Sequence, residues 1–394
     1  MSKTVILSTA RTPFGKMGGA LSTVDATGLG ATAIRESLSR AGVEAEEVDG
    51  VVFGQVLQAG QGQIPSRQAQ IAAGIPKEVP SETINKVCAS GMRSIGVCDQ
   101  AIRAGDMNVG VAGGMESMSL APYLLPGARF GFRMGDVGAT DAMTYDGLTN
   151  PFSGKQMLPE AEEVSVELDI DRPELDSWAE RSHRLAHAAG EAGHLAEEIA
   201  PVTVSSRKGE TVVDTDEAIR PETTVEVLAG LKSVGGEDGT HTAGNAPGVN
   251  DGAAALVVSA DEWASERGNQ PLATVVAYGQ VADDFAYLAR TPAKAARAAL
   301  DKIGKSPEDV DLWEINEAFA SVAVNSIRML EIDPEKVNVN GGAIALGHPI
   351  GASGGRIVGA LVRELGRRGG GLGCASICSG GGQGDAILVE VPAS

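Results

Sequence analysis

Three stretches of the chain hold residues able to do covalent chemistry: Val87-Cys88-Ala89-Ser90-Gly91, Gly347-His348-Pro349, and Ile377-Cys378-Ser379-Gly380-Gly381-Gly382. Two thiols and an imidazole set in glycine-rich backbone suit carbon–carbon bond chemistry on a thioester. A thiolate can carry an acyl group, a second thiol can move a proton at carbon, and bare N–H groups can hold an oxyanion. Cys88 ends an apolar run and precedes a helical pattern over 90–104, so the positive end of that helix is expected to lower its pKa. His348 occupies the corresponding turn before a second helical pattern over 354–368, which predicts that the two side chains face each other. Cys378 closes the last apolar strand, and the backbone N–H of Gly380 is placed to approach a ligand oxygen. Asn316 follows a strand and has two readings of equal weight, holding a water or carbonyl oxygen and capping a helix. Cys98 and Cys374 read as packing residues.

The elements that must position these groups repeat along the chain. Val48-Asp49-Gly50-Val51-Val52-Phe53 is echoed by Val310-Asp311-Leu312-Trp313-Glu314-Ile315, and Ala89-Ser90-Gly91-Met92-Arg93 by Ala352-Ser353-Gly354-Gly355-Arg356. A third echo pairs 109–114 with 375–381. Three echoes in one order predict a duplicated α/β unit. Short apolar strands at 5–8, 50–54, 83–85, 109–112, 312–315, 337–340 and 372–378 alternate with helices, which implies a mixed sheet covered on both faces. From about 120 to 250 the chain is polar and turn-rich, with one amphipathic helix over 173–190 for which Asp171 is a candidate cap. That stretch reads as an insertion serving as a lid. The expected organisation is an N-terminal half over 1–119, an inserted loop domain over 120–250, completion of the N-terminal half over 251–270, and a C-terminal half over 271–394.

Composition narrows the function. The chain has 394 residues, 52 of them glycine, with 43% hydrophobic and only 4% aromatic residues, which suits close packing of layered α/β elements. A formal charge of −20 speaks against nucleic acid and against anionic membrane surfaces as partners. It also means that a phosphorylated ligand would need a local cation. Four cysteines do not make a disulfide scaffold, and the chain opens directly into a strand-like run, so the expected location is the cytoplasm. His183 and His187 stand four apart but lack a third ligand, and they read as a solvated helix face; no metal is expected. No phosphate loop or dinucleotide fingerprint is present.

The motifs Asn85-Lys86-Val87-Cys88-Ala89-Ser90-Gly91-Met92, Thr242-Ala243-Gly244-Asn245, Asn250-Asp251-Gly252, Asn316-Glu317-Ala318-Phe319, Asn338-Val339-Asn340-Gly341-Gly342, Gly347-His348-Pro349-Ile350-Gly351 and Cys378-Ser379-Gly380-Gly381-Gly382 run in order over almost the whole chain. Together they resemble the thiolase family. The resemblance implies a duplicated α-β-α-β-α five-layer fold with an inserted loop domain. It implies Cys88 as the acylated nucleophile, His348 as its activator and Cys378 as the acid/base at carbon. Asn316 would hold a water that, with His348, stabilises an enolate, and the N–H groups of Cys88 and Gly380 would bind the acyl oxyanion. Coenzyme A thioesters would be substrates, with no tightly bound cofactor, contacted by Arg220, Ala243, Ala318, Phe319, Met157, Leu148 and Pro247. A homodimer or homotetramer is implied.

Three departures from the family pattern stand out: Gln156 beside Met157, Pro247 after Ala246, and Leu288-Ala289-Arg290-Thr291-Pro292 in place of a Gly-Pro loop. They leave two substrate readings, condensation or thiolysis at acetyl length and cleavage of longer or branched 3-ketoacyl-CoA. A ketoacyl synthase lacks the second cysteine of a Cys-x-Gly-Gly-Gly ending, and a non-catalytic lipid-binding relative would alter Asn316-Glu317-Ala318-Phe319 or Cys378. Both features are intact here.

Overall fold

The computed structural model describes residues 2–207 and 209–393. Nine strands, β1 Thr4–Arg11, β2 Gly50–Gly54, β3 Ser81–Ile84, β4 Val109–Ser117, β5 Asn250–Ala260, β6 Ala273–Ala282, β7 Leu312–Ile315, β8 Gly371–Ser379 and β9 Gln383–Val391, form one hydrogen-bonded path. Its order is β7-β8-β9-β6-β1-β5-β4-β2-β3. The path reads alike in both directions from the β1–β6 junction. Outward on one side β1–β5 and β5–β4 are antiparallel and β4–β2 is parallel; on the other, β6–β9 and β9–β8 are antiparallel and β8–β7 is parallel. This is the duplication that the sequence echoes predict.

One expected strand differs. The segment 337–340 forms only an isolated parallel bridge, Trp313 to Val337. Asn338 adopts a left-handed backbone with φ 48°, and its side-chain amide takes over the ladder, accepting from Ile315 N at 2.8 Å and donating to Ile315 O at 2.8 Å. A side chain that satisfies both backbone groups of its neighbour removes the need for a strand there.

Among the described residues seven longer helices frame the sheet: α1 Ala26–Ala41, α2 Ser90–Ala104, α3 Met157–Glu167, α4 Arg172–Glu191, α5 Thr291–Asp301, α6 Ala320–Leu330 and α7 Ser353–Arg367. Local chemistry sets their ends. Asp25 accepts from Gly28 N at 2.6 Å to start α1, and Gly42 at φ 62° ends it. Asp171 caps α4 as expected, accepting from Glu174 N at 3.0 Å. Burial sorts the helices into layers. Met92, Ile95 and Ile102 of α2 and Ile357, Leu361 and Leu365 of α7 share one core with strand residues of both halves. Leu29, Ile34 and Leu38 of α1 cover the outer face of the first half, while Ala295, Ala299, Ala323 and Val324 cover that of the second.

The central pair of helices decides where the chemistry sits. A Cβ on Gly354 would lie 2.3 Å from Met92 N, and one on Gly91 would lie 2.8 Å from Gly351 O, so only glycine lets the N-termini of α2 and α7 abut. Each helix follows a reactive turn, Cys88 before α2 and His348 before α7. Their close approach brings those turns together at the seam.

Candidate active site

Cys88, His348 and Cys378 line one cavity of about 230 Å³, whose other walls include Met118, Leu148, Gln156, Met157, Pro247, Leu288, Ala318, Phe319 and Ile350. The walls are mostly apolar, so charge inside the cavity is poorly screened. Cys88 stands on a strained turn, because the β-branched Val87 before it has φ 44°. That turn is tied to the strand carrying Cys378. Lys86 pairs with Asp385 at 2.5 Å, and Ser379 Oγ donates to Lys86 O. Tyr278 Oη donates to the other Asp385 oxygen at 2.5 Å.

Both thiols are held neutral by burial. Burial pushes Cys88 up to about 12, although the N–H groups of Cys88 and Gly380 at its sulfur pull the other way. Burial raises Cys378 well above the ordinary thiol range, and the neighbouring Cys88 sulfur raises it further. This corrects the expectation that the helix terminus lowers the Cys88 pKa and enriches its thiolate. Desolvation outweighs the helix dipole in so enclosed a place.

His348 is held in a defined tautomer. Its Nδ1 lies 2.6 Å from Ser353 Oγ, and that hydroxyl donates its one proton to Pro349 O at 2.9 Å. Ser353 can therefore only accept from the ring, so Nδ1 carries the hydrogen and Nε2 is left with a lone pair. Nε2 is buried and has no hydrogen-bond partner among the described residues. Burial and the Arg356 charge hold the imidazole down to about 3, so it is neutral. Asn250 fixes the turn by accepting from His348 N at 2.9 Å while donating to Gly15 O at 2.9 Å.

Asn316 does not cap a helix. Its backbone N–H donates to Ser376 O at 2.9 Å, while α6 begins only at Ala320 and both side-chain amide atoms are buried with no partner among the described residues. A buried amide left open on both ends has the polarity to hold a water or a carbonyl oxygen. Gly380 does not line the cavity of the thiols. It faces an adjoining one with Val87 and Met157, yet its N–H still points at the Cys88 sulfur.

The remaining expected contacts divide. Leu148, Met157, Pro247, Ala318 and Phe319 line the cavity of the thiols, whereas Arg220 and Ala243 line a neighbouring cavity of about 390 Å³. The two cavities share Ala246, Gly248 and Val249 as walls. All three departures reach the thiol cavity, through Gln156, Pro247 and Leu288, but Arg290 itself does not line it; Arg290 pairs with Asp283 at 2.9 Å and lies over the Tyr287 ring. His183 is buried rather than solvated, accepting from Arg220 N at 3.2 Å, while His187 is exposed. Cys98 and Cys374 are packed in the cores. Sequence reasoning missed Ser353 and Asn250 as the groups that orient His348. Ser353 stood in the echoed Ala-Ser-Gly turn, five residues after the imidazole, which was the available signal.

The family model described as "Thiolase, N-terminal domain" matches residues 4–262, and "Thiolase, C-terminal domain" matches 269–391. An acetyl-CoA acetyltransferase of Cupriavidus necator is 48% identical over 99% of this chain and 100% of its own length. One of Paracoccus denitrificans is 46% identical over the full length of both. The crystal structure of the Bacillus anthracis acetyl-CoA acetyltransferase superposes with a TM-score of 0.97 at 42% identity, covering 99% of each chain.

Proposed function

Because the chain belongs to the thiolase family and is an acyltransferase, we propose that it moves acyl groups between coenzyme A thioesters by a ping-pong route through Cys88. The carrying observation is a neutral imidazole with a free Nε2 lone pair lining the same apolar cavity as two protonated thiols. In the first half-reaction the Cys88 proton passes to His348 Nε2 and the sulfur attacks the thioester carbonyl. The N–H groups of Cys88 and Gly380 receive the oxyanion. Departing coenzyme A thiolate takes the Cys378 proton, which leaves a Cys378 thiolate beside an imidazolium. In the second half-reaction that thiolate removes a proton from the carbon next to the carbonyl of a second acyl-CoA. The imidazolium and a water on Asn316 stabilise the enolate, which attacks the acyl carbonyl on Cys88. Collapse expels the Cys88 thiolate, His348 returns its proton, and all three groups regain their starting states.

Acetyl-CoA condensation to acetoacetyl-CoA, or its reversal, is the first reading, in line with relatives named as acetyl-CoA acetyltransferases. Gln156 and Pro247 in the cavity wall favour a second, thiolysis of longer or branched 3-ketoacyl-CoA. Coenzyme A would extend past Ala246 and Val249 toward Ala243 and Arg220, where the guanidinium supplies a cation against the net negative charge. Exposed Leu125, Phe130, Phe132 and Met134 support assembly into a homo-oligomer.

Initial rates of thiolysis, with acetoacetyl-CoA and coenzyme A varied independently, test the route. Parallel double-reciprocal lines are expected; intersecting lines at subsaturating concentrations would overturn the acyl-enzyme.

A further inference from the structure

Glu116 stands at the end of β4 with no solvent exposure, and among the described residues it has no cationic partner. Its carboxylate instead accepts three backbone N–H groups from two separate turns. Oε2 accepts from Val56 at 3.0 Å and Gly351 at 3.0 Å, and Oε1 accepts from Leu57 at 3.1 Å. A buried carboxylate without a cation persists only where backbone donors replace its water, and three donors do so here.

Each turn leads to a reacting group. Gly351 is three residues past His348, in the loop whose Ile350 side chain lines the cavity. Val56 leads the other way, because its carbonyl accepts from Asn85 Nδ2 at 3.4 Å and Asn85 Oδ1 accepts from Val87 N at 3.0 Å. Val87 is the residue with φ 44° that aims Cys88. One carboxylate thus stands between the strained nucleophile turn of the first half and the imidazole turn of the second. The contact is tight on the other side also, since a Cβ on Gly114 would lie 1.9 Å from Gly351 O.

We propose that Glu116 is the positioning residue that sets the mutual register of Cys88 and His348, by holding the Val56 and Gly351 backbones on one carboxylate. This rests on the roles given above to Cys88 and His348. Its charge is not what helps: a carboxylate at that place raises the Cys88 pKa and so opposes thiolate formation. Register and charge therefore predict opposite results when the charge is removed.

The test uses the full chain with Glu116→Met, because a glutamine oxygen in the Oε2 place would still accept from both Val56 and Gly351, whereas methionine fills similar space and withdraws the acceptor from all three backbone donors. Acetylation of Cys88 by acetyl-CoA is followed by rapid quench and mass spectrometry, beside alkylation of Cys88 by iodoacetamide. Acetylation is expected to slow by about a hundredfold, as for a small misplacement of reacting groups, while alkylation at pH 7 holds or quickens. Acetylation within about threefold of the parent chain, far short of a misplacement effect, would overturn the proposal; so would acetylation and alkylation falling in proportion. If Glu116→Met does not fold, Glu116→Asp retains the charge and withdraws it by one methylene, and acetylation should again slow more than alkylation. Failure of the parent chain to become acetylated would instead refute the underlying Cys88 reading.

Discussion

Replacing Ser353 with alanine deletes one oxygen, the one that sets which nitrogen of His348 carries the hydrogen. Nδ1 lies 2.6 Å from that hydroxyl, which is fully buried at the start of α7. When His348 takes the Cys88 proton it becomes an imidazolium, so the lost contact is then a hydrogen bond to a charged group, worth about 1.5–3 kcal/mol. At about 1.36 kcal/mol per decade, acyl transfer to Cys88 should slow by roughly 10- to 160-fold. The neutral ring is also freed to carry its proton on Nε2, where it cannot act as a base. Single-turnover acetylation measured by quench and mass spectrometry reads the step directly, with the thermal midpoint as a control on folding. A folded Ser353→Ala chain that acetylates at the parent rate would refute the tautomer derived from the Pro349 and Ser353 contacts.

Asn316→Ala should leave Cys88 acetylation within a few-fold but slow condensation or thiolysis by about 10²–10³, the usual cost of losing an oxyanion partner; equal loss in both steps would count against the water-holding role. Burial holds His183 down to about 4, against about 6.5 in the unfolded chain, so the unfolded state binds the extra proton first and this group destabilises the fold as pH drops below 6.5. Glu116 and Glu314, raised by burial to about 7 and 8, act with the opposite sign in the same window, so the comparison must be differential. Between pH 7 and pH 5, His183→Gln should lose less urea stability than the parent by about 1–2 kcal/mol, and identical pH dependence would contradict the buried neutral imidazole. Arg290→Ala should leave relative rates across 3-ketoacyl-CoA lengths within about twofold, well below the effect of one methylene in a pocket, because Arg290 is engaged with Asp283 away from the cavity; a clear shift in the profile would place it at the acyl pocket after all.

The duplicated architecture was legible because the close approach of the two central helices leaves a compositional mark. Gly91 and Gly354 tolerate no Cβ, and the same small residues recur around both, so the repeat and the facing turns could be read together. The reactive trio was legible for the same reason, being embedded in glycine-rich turns. What escaped depends on tertiary surroundings. Ser353 looks like any helix-start serine until Pro349 O is seen to take its proton. His183 lies on a helix that packs its imidazole against Arg220 N, which periodicity alone does not reveal. The missing strand at 337–340 turns on one side-chain amide replacing a ladder, and Cys88 has a high pKa because desolvation outweighs a helix terminus that spacing could locate but not weigh.

The central claim is that two sulfurs in one cavity have unlike duties, Cys88 carrying acyl and Cys378 carrying protons. Intact mass after exposure to acetyl-CoA separates them. Cys378→Ala should take up one acetyl group on Cys88 yet form no acetoacetyl-CoA, and Cys88→Ala should take up none. Acetylation that persists in folded Cys88→Ala, or condensation that persists in Cys378→Ala, would contradict the account.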